Sequence, residues 1–306
     1  LRTAVAAATT GHVLLCDTGA AICDDALAWI AAVLERDGDR AGRAEPRAVY
    51  GDEVVSDPAT GPRAAKTIDH KPDFSYATLL AGDFLGPIVA FRRSEAAVAL
   101  DRLVARGTAA ATPAECLYAV ALEALRGCSE RDVTHVRHPL SSRRQPGGAD
   151  GAGTARIAAA ALAAAGVSAA VTTHPGDASL HQLELRPRRE PRVSIIIPTK
   201  NAGALVASCL RDLRKDAGYG NYDITVIDHE SHEPDLLDLL ARESAAERLR
   251  VFPYRGPFNF AAMNNAAVRS TGGSLLLFLN NDVDGFSPRW LEQLVATFEL
   301  DDRIAA

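Results

Sequence analysis

Two short apolar runs, each followed at once by polar residues, constrain the fold of this chain more than any other feature. Residues 193–198 (VSIIIP) precede Thr199, and residues 274–279 (SLLLFL) precede Asn281 and Asp282. Short and wholly apolar runs are typical of strands that are buried on both faces, as in the middle of a parallel sheet. Both runs are therefore predicted to be interior strands.

The second half of the chain alternates such runs with helical patterns. This order predicts an α/β fold in which a mostly parallel sheet is flanked by helices, with right-handed crossovers. Ligands of open α/β sheets bind outside the carboxyl ends of the strands, so polar residues at these ends are candidate site residues. Strands are predicted near 193–197, 223–228, 249–253 and 275–279, and helices near 203–215, 234–246, 259–270 and 287–298.

Carboxylates and small polar side chains follow these predicted strands. Asp282 and Asp284 are spaced to share one divalent ion, and carboxylate oxygens suit Mg²⁺ or Mn²⁺. Asp228, with His229, is placed to hold a base or ribose, as are the residues from Pro198 to Asn201. For Asp228 and Asp282, capping of the helix that follows is an equally good interpretation.

Other polar residues of the second half have ordinary structural interpretations. His229 and His232 are predicted to be exposed loop residues rather than metal ligands. Asn264 and Asn265 lie on a predicted helix, where they are solvent-facing or capping residues. Trp290 is predicted to pack the last helix onto the sheet.

The first half shows weaker patterns. One face of an amphipathic helix is predicted to carry Leu27, Ile30, Ala31 and Leu34. The Gly-rich residues 146–153 are predicted to form a flexible loop. Further strands are predicted near 12–17, 48–50, 87–91, 133–136 and 180–185, and further helices near 79–84, 115–125 and 155–165.

Composition restricts the class of protein. The 306 residues are 47% hydrophobic, which is enough for two cores, and a net charge of -6 argues against a nucleic-acid partner. Five cysteines without CxxC spacing indicate reduced thiols of a cytoplasmic protein. The longest apolar tract is too short for a transmembrane segment. Because Met263 is the single methionine, we expect a segment of a longer protein.

Four ordered motifs in the second half resemble family-2 glycosyltransferases of the GT-A fold, a Rossmann-like α/β architecture. The similarity is greatest to the bacterial enzymes of O-antigen and cell-surface polysaccharide assembly. The resemblance implies an inverting, metal-dependent transferase that moves a sugar from a nucleotide-sugar donor to a glycan or lipid-linked acceptor. The motifs are residues 193–201 (VSIIIPTKN), 222–228 (YDITVID), 256–265 (GPFNFAAMNN) and 277–282 (LFLNND), followed by 287–291 (SPRWL).

The resemblance also assigns roles to residues. Asp282 is the metal-binding aspartate of the last motif, and Asp284 stands at a position that is often acidic in the family. Both would hold Mg²⁺ or Mn²⁺. The resemblance also implies a cytoplasmic location, and it leaves open a peripheral association with the inner face of the membrane. The residues expected to bind the donor are Pro198, Thr199, Asn201, Asp228, His229, Asn265 and Asn281.

The first half resembles the rear part of a second such domain in altered form. Residues 50–53 (YGDE) and 71–75 (KPDFS) match that part in order, but residues 17–20 (DTGA) replace the acidic metal cluster. Glu115 falls near the position of the catalytic aspartate, as a weak candidate. In the second half, the catalytic base is expected beyond Ala306.

These matches predict a domain division and leave a second function open. Residues 1–185 would form a degenerate glycosyltransferase-like module, 186–191 a linker, and 192–306 the nucleotide-sugar-binding front of a family-2 domain. The alternative is a non-catalytic nucleotide-binding or scaffold fragment. A dinucleotide-dependent oxidoreductase is disfavoured because no strand exit carries a G-x-G-x-x-G turn.

Overall fold

The computed structural model describes residues 1–38, 45–56, 66–143, 151–300 and 304. The chain divides into two compact units, unit 1 (Leu1–Glu184) and unit 2 (Leu185–Ala306). In unit 1 the elements are α1 (Arg2–Ala7), β1 (His12–Cys16), β2 (Ala21–Ile22), α2 (Ala26–Gly38), β3 (Ala48–Ser56), β4 (Lys66–Asp69), α3 (Tyr76–Ala81), β5 (Ile88–Arg92), α4 (Arg93–Ala105), α5 (Pro113–Ala124), β6 (Val133–Arg143), α6 (Gly151–Ala164), β7 (Ser168–His174) and β8 (Asp177–Arg186).

Unit 2 begins at Leu185, within the last residues of β8. Its elements are β9 (Val193–Thr199), α7 (Gly203–Lys215), β10 (Tyr222–Asp228), α8 (Pro234–Ala245), β11 (Arg250–Pro253), α9 (Phe260–Val268), β12 (Leu275–Phe278) and α10 (Trp290–Thr297).

Unit 1 is built on a mixed sheet. The strand order is β1-β5-β3-β6-β2, with β4 paired to β3. Strands β3 and β6 are parallel, whereas β5 runs antiparallel to both β1 and β3. Helix α2 packs Ala26, Ile30 and Val33 on this sheet, against Val49 and Val136. Strands β7 and β8 form a separate two-stranded sheet.

Two predictions for unit 1 are wrong. Leu27 is 62% exposed and Ala31 is exposed too, because the buried stripe of α2 runs through Ala26, Ile30 and Val33 instead. Residues 151–153 of the predicted Gly-rich loop form the first turn of α6, where Gly151 and Gly153 are buried. The rest of that loop, residues 146–150, lies outside the described residues.

Unit 2 confirms the predicted α/β architecture. Its four strands are all parallel and stand in the order β11-β10-β9-β12. Helix α7 buries Val206, Leu210 and Leu213 on one face of the sheet. Helix α9 buries Met263 and Ala267 on the other face. Strand β9, the first of the two apolar runs, is therefore covered on both sides.

The second apolar run does not occupy the predicted place. Strand β12 pairs with β9 alone and forms an edge of the described sheet. Leu275 and Leu277 pack on the core of unit 2, but Leu276 and Phe278 are 42% and 48% exposed. The prediction of burial on both faces is thus wrong for β12, because a wholly apolar run does not reveal whether the sheet continues beyond it.

Over the described ranges, each helix is either too short or too polar to cross a lipid bilayer. Residues of the predicted linker contact the end of unit 2. The backbone N–H groups of Arg188 and Arg189 donate to Oε1 of Glu299, at 2.8 and 3.1 Å.

Candidate functional site

Three of the predicted site residues of unit 2 meet at one edge of its sheet. Because β9, β10 and β12 are parallel, their carboxyl ends point the same way. Thr199 and Asp228, the last residues of β9 and β10, are register partners. Asn281 follows β12 by three residues and reaches the same edge. The topology thus brings together three side chains that are distant in sequence.

Thr199 is the centre of this edge. Its side chain is buried, with the residue 4% exposed. The hydroxyl donates to the backbone oxygen of Asn201 at 2.9 Å. It accepts a hydrogen bond from Nδ2 of Asn281, also at 2.9 Å. Thr199 therefore fixes the loop after β12 relative to the loop after β9.

Asn201 connects the loops that follow β9 and β10. Its φ of 61° lies in the left-handed region, which asparagine tolerates better than most residues. This turn lets Oδ1 accept from the backbone N–H groups of His232 and Glu233, at 2.9 and 3.2 Å. The backbone N–H of Asn201 donates to Ser231 Oγ at 2.9 Å. Sequence analysis did not single out Ser231, since serine in a loop is a weak signal.

Neither aspartate caps a helix. Oδ1 of Asp228 accepts from the backbone N–H of Ser231 at 3.1 Å, which closes a turn, and the N-cap of α8 is Glu233. Asp282 lies before the N-cap of α10, Arg289, and its side chain is exposed. The capping interpretation is therefore wrong for both residues.

His229 is buried, contrary to the prediction of an exposed loop residue. It is 3% exposed, and its Nε2 lies 2.8 Å from the backbone oxygen of Gly256. A carbonyl accepts, so Nε2 carries the proton in this contact. His229 thus holds the loop after β11, whereas His232 is exposed as predicted.

The two adjacent asparagines of helix α9 differ in exposure. Asn264 is buried and donates from Nδ2 to the backbone oxygen of Phe260 at 2.8 Å, while Asn265 is exposed. The N-cap is Asn259, whose side chain accepts from the backbone N–H of Ala262. Trp290 is buried, as predicted, and its Nε1 donates to the backbone oxygen of Leu213.

Asp282 and Asp284 are exposed in the loop after β12. Burial raises the pKa of the nearby Cys209 thiol to about 11. The negative charges of Asp212, Asp282 and Asp284 add to this shift. Sequence analysis missed Asp212, because the acidic residue of a helix has no strand-end signal.

Asp282 and Asp284 offer exposed carboxylates, which are the hard oxygen ligands that Mg²⁺ and Mn²⁺ accept. The described residues contain no cluster of three or more His, Cys, Asp or Glu side chains able to enclose a metal. Magnesium is usually held by one or two carboxylates, with water and substrate phosphates in the other positions. Asp282 and Asp284 match that pattern rather than a closed protein cage.

Glu115, the weak catalytic candidate of unit 1, is held in a structural network. It is 2% exposed, and Oε2 accepts from the backbone N–H of Ala111 at 2.8 Å and from Nη2 of Arg156 at 3.2 Å. Its own backbone N–H donates to the side chain of Thr112, the N-cap of α5. These contacts form a helix cap and leave little of the carboxylate available for chemistry.

Comparisons with known proteins show what this chain is similar to. Residues 194–306 match the model of glycosyl transferase family 2. The O-antigen biosynthesis protein RfbC of Myxococcus xanthus is 32% identical over 174 residues, which cover 54% of this chain and 13% of RfbC. The uncharacterized protein y4gI of Sinorhizobium fredii is 36% identical over 107 residues, covering 35% of this chain and 12% of y4gI. The chain thus spans about an eighth of the length of these relatives.

Solved structures show weaker similarity. The mannosyltransferase PcManGT from Pyrobaculum calidifontis, in complex with GDP-Man and Mn²⁺, is 20% identical with a TM-score of 0.33, covering 37% of this chain and 34% of that protein. TarS 1-349 from S. aureus is 20% identical with a TM-score of 0.28, covering 35% and 32%. The match of residues 194–306 to the family model is the main finding, and it shows that this segment of the chain is similar to glycosyl transferase family 2.

Proposed function

We propose that the protein transfers a sugar from a nucleotide-sugar donor to a glycan acceptor, with inversion at the anomeric carbon, in surface polysaccharide biosynthesis. The observation that carries this proposal is the meeting of Thr199, Asp228 and Asn281 at the carboxyl edge of a parallel sheet, within the segment that matches the family. The relative named for O-antigen biosynthesis supports the pathway class.

The donor nucleotide would lie across the ends of β9 and β10. Asp228 offers a carboxylate oxygen that can accept from ribose hydroxyl groups, since Oδ1 alone is used in the turn to Ser231. Pro198 and Thr199 form the floor, and Asn201 holds the neighbouring loops in place. His229 acts mainly through the loop at Gly256, because Nε2 is already bound there. Asn265, exposed on α9, stays a proposed donor contact.

Asp282 and Asp284 would hold Mg²⁺ or Mn²⁺ against the donor diphosphate. When bound, such an ion neutralises the charge that develops on the leaving diphosphate. The bond from Asn281 to Thr199 positions the loop that carries both aspartates. The chain's own contribution is therefore to place two carboxylates beside the nucleotide edge.

Inversion requires one base to remove the proton from the acceptor hydroxyl as it attacks. The acceptor, a glycan or a lipid-linked glycan, is part of the proposal. In unit 1, Glu115 is disfavoured as the base because its buried carboxylate already accepts from the backbone N–H of Ala111 and from Arg156. The alignment with RfbC is longer than unit 2 and so extends into unit 1, which supports the proposal that unit 1 is a related, altered module.

The test is donor turnover by the full-length protein. UDP-, GDP- and dTDP-sugars are incubated with Mn²⁺ or Mg²⁺, and the released nucleotide is measured beside calorimetric binding of each donor. We expect one donor to bind and to release its sugar slowly to water. Binding without any release, with or without glycan acceptors, would favour a scaffold module, and absence of both would refute the proposal.

A further inference from the structure

The segment that connects β11 to α9, residues 254–259, lies beside the end of β10 and is called the β11 loop below. The backbone N–H of Tyr254 donates to the backbone oxygen of Asp228 at 2.9 Å. Two residues later, the backbone oxygen of Gly256 accepts from Nε2 of His229 at 2.8 Å. The β11 loop is therefore bound at two points to the residue proposed to hold the ribose and to the residue that follows it.

Phe258 gives the β11 loop an exposed aromatic ring. At 71% exposure, it is the most exposed of the large apolar side chains in the described part of the chain. Its ring centroid lies 6.0 Å from that of the His229 ring, which is buried and which contacts Tyr254 edge-on at 5.8 Å. The Phe258 ring thus lies at the surface beside a buried neighbour, with most of its area open to a second flat group.

Arg255 gives the same loop an available cation. It lies between the two bound positions of the loop, and its side chain is exposed. Its guanidinium forms no ion pair or hydrogen bond with another residue that the structure describes. The N–H donors of Arg255 can therefore bind a ligand at this edge of the sheet.

A nucleobase uses both kinds of group. The face of any base stacks on an aromatic side chain. The edges of the bases differ: guanine presents two neighbouring acceptors, O6 and N7, which match two N–H groups of a guanidinium. Adenine has a donor amine in place of O6, and thymine presents the single acceptor O4 on that edge, as uracil does. An available guanidinium near an exposed aromatic ring therefore favours guanine.

We propose that the β11 loop binds the base of the donor nucleotide, with Phe258 stacked on its face and Arg255 hydrogen-bonded to its edge, and that this base is guanine. The inference rests on the proposed function, because it takes Asp228 as the ribose contact. A ribose bound at Asp228 carries its base next to the loop that Asp228 and His229 hold. The donor would then be a GDP-sugar.

The experiment is calorimetry of the full-length protein, in the presence of Mn²⁺, with two matched probes, GDP and ADP. Both are purine nucleoside diphosphates, so they differ only at the edge of the base. We expect GDP to bind about tenfold more tightly than ADP, because a bidentate contact discriminates between bases by about that factor. IDP keeps O6 and N7 but lacks the amino group of guanine, and it should bind like GDP. Equal affinities for GDP and ADP would overturn the assignment, and so would IDP binding like ADP.

Arg255→Lys tests the edge contact, because lysine keeps the charge but has no pair of parallel N–H groups. The affinity for GDP should fall about tenfold, to the level of ADP, while the affinity for ADP stays unchanged. Arg242→Lys, at an exposed position of α8, is the matched control and should keep the preference for GDP. A preference for GDP that survives Arg255→Lys would contradict the role of Arg255.

Phe258→Ala tests the stacking contact. It should weaken the binding of GDP and of ADP about tenfold each and leave their ratio unchanged, because both purines lose the same surface. Phe258→Trp should retain the affinity. Phe278→Ala removes an exposed phenylalanine from β12, at the opposite edge of the sheet, and should have no effect. Because Phe258 is exposed, the unfolding transition of Phe258→Ala should match that of the wild type. Unchanged affinities in Phe258→Ala would contradict the stacking.

Failure of this inference can be distinguished from failure of the proposed function. If UDP or dTDP binds more tightly than GDP, the protein still binds a donor nucleotide and only the assignment of guanine is wrong. If none of GDP, ADP, UDP and dTDP binds in the presence of Mn²⁺, the proposed function is wrong, and the base site with it.

Discussion

Asn281 Nδ2 donates to Thr199 Oγ1 at 2.9 Å, across 82 positions of sequence. This bond joins the end of β9, which is buried, to an exposed loop that carries both acidic candidates. The end of a buried strand thereby positions this loop. Catalytic sites commonly rely on loops that a rigid scaffold holds in this way.

Asn281→Ala should loosen this loop and weaken nucleotide binding about tenfold, because one buried hydrogen bond contributes about 1 kcal/mol and its loss leaves the Thr199 hydroxyl with a donor role only. Calorimetry with UDP and GDP measures the effect. Thr199→Val also removes the bond to the backbone oxygen of Asn201 and should weaken binding further, and the double variant should lose less than the sum, because the two residues share one bond. Asp238→Asn, on the exposed face of α8, is the matched control. Fully additive losses would show that the two residues act independently.

Asp83 should make the stability of unit 1 depend on pH. Burial raises its pKa from 3.8 to about 6, and the positive charge of Lys71 opposes the shift. The folded state therefore binds the proton more tightly than the unfolded chain, so the free energy of unfolding falls as pH rises from 4 to 6. Asparagine does not ionise, so Asp83→Asn avoids this loss of stability. Its free energy of unfolding should be about 1–3 kcal/mol higher than that of the wild type at neutral pH.

Denaturant unfolding of wild type and Asp83→Asn across this pH window measures the difference. The two proteins should converge in acid, where Asp83 is protonated in both states. Asp177→Asn is the control, since hydrogen bonds from Ser179 hold the pKa of Asp177 below its ordinary value. If the difference in free energy of unfolding between wild type and Asp83→Asn is the same at all pH values, burial of the Asp83 carboxylate is not the cause of that difference.

Gly153→Ala should destabilise unit 1, although alanine favours helices. A Cβ at this position of α6 would lie 2.3 Å from Oε1 of Glu115, whose carboxylate is fixed by its own hydrogen bonds. Overpacking of this kind costs about 1–3 kcal/mol. Thermal unfolding should show the loss. Gly11→Ala, where the added carbon meets open space, should change little. Equal stability of the two variants would mean that Glu115 can move.

Hydrophobic periodicity predicts the elements of unit 2 well, because each of them carries apolar residues at regular spacing on its buried side. Strand β9 and helix α7 agree with prediction to within two residues. Strand β12 was predicted to be interior and lies at an edge, since strand order depends on pairing rather than on the run itself. The Gly-rich start of α6 was predicted to be a loop. Glycine is needed there because the helix packs closely on Glu115, and the local sequence gives no sign of that contact.

The candidate site was predictable in its residue types and not in its contacts. Strand-end position is enough to select Thr199, Asp228 and Asn281. The burial of His229 depends on a carbonyl at Gly256, which belongs to another loop, so its exposure was predicted wrongly. Elements α4, β4 and β7 of unit 1 were not predicted, because they carried no clear signal.

The most direct test of the proposed donor site is the manganese dependence of donor binding in Asp282→Ala. We expect wild-type protein to bind its nucleotide-sugar more tightly with Mn²⁺ than with EDTA, and Asp282→Ala to show equal, weak affinity in both conditions with an unchanged unfolding transition. Asp238→Asn should keep the manganese effect. If Asp282→Ala retains the full effect of Mn²⁺ on donor affinity, Asp282 does not hold the metal and the proposed site is wrong.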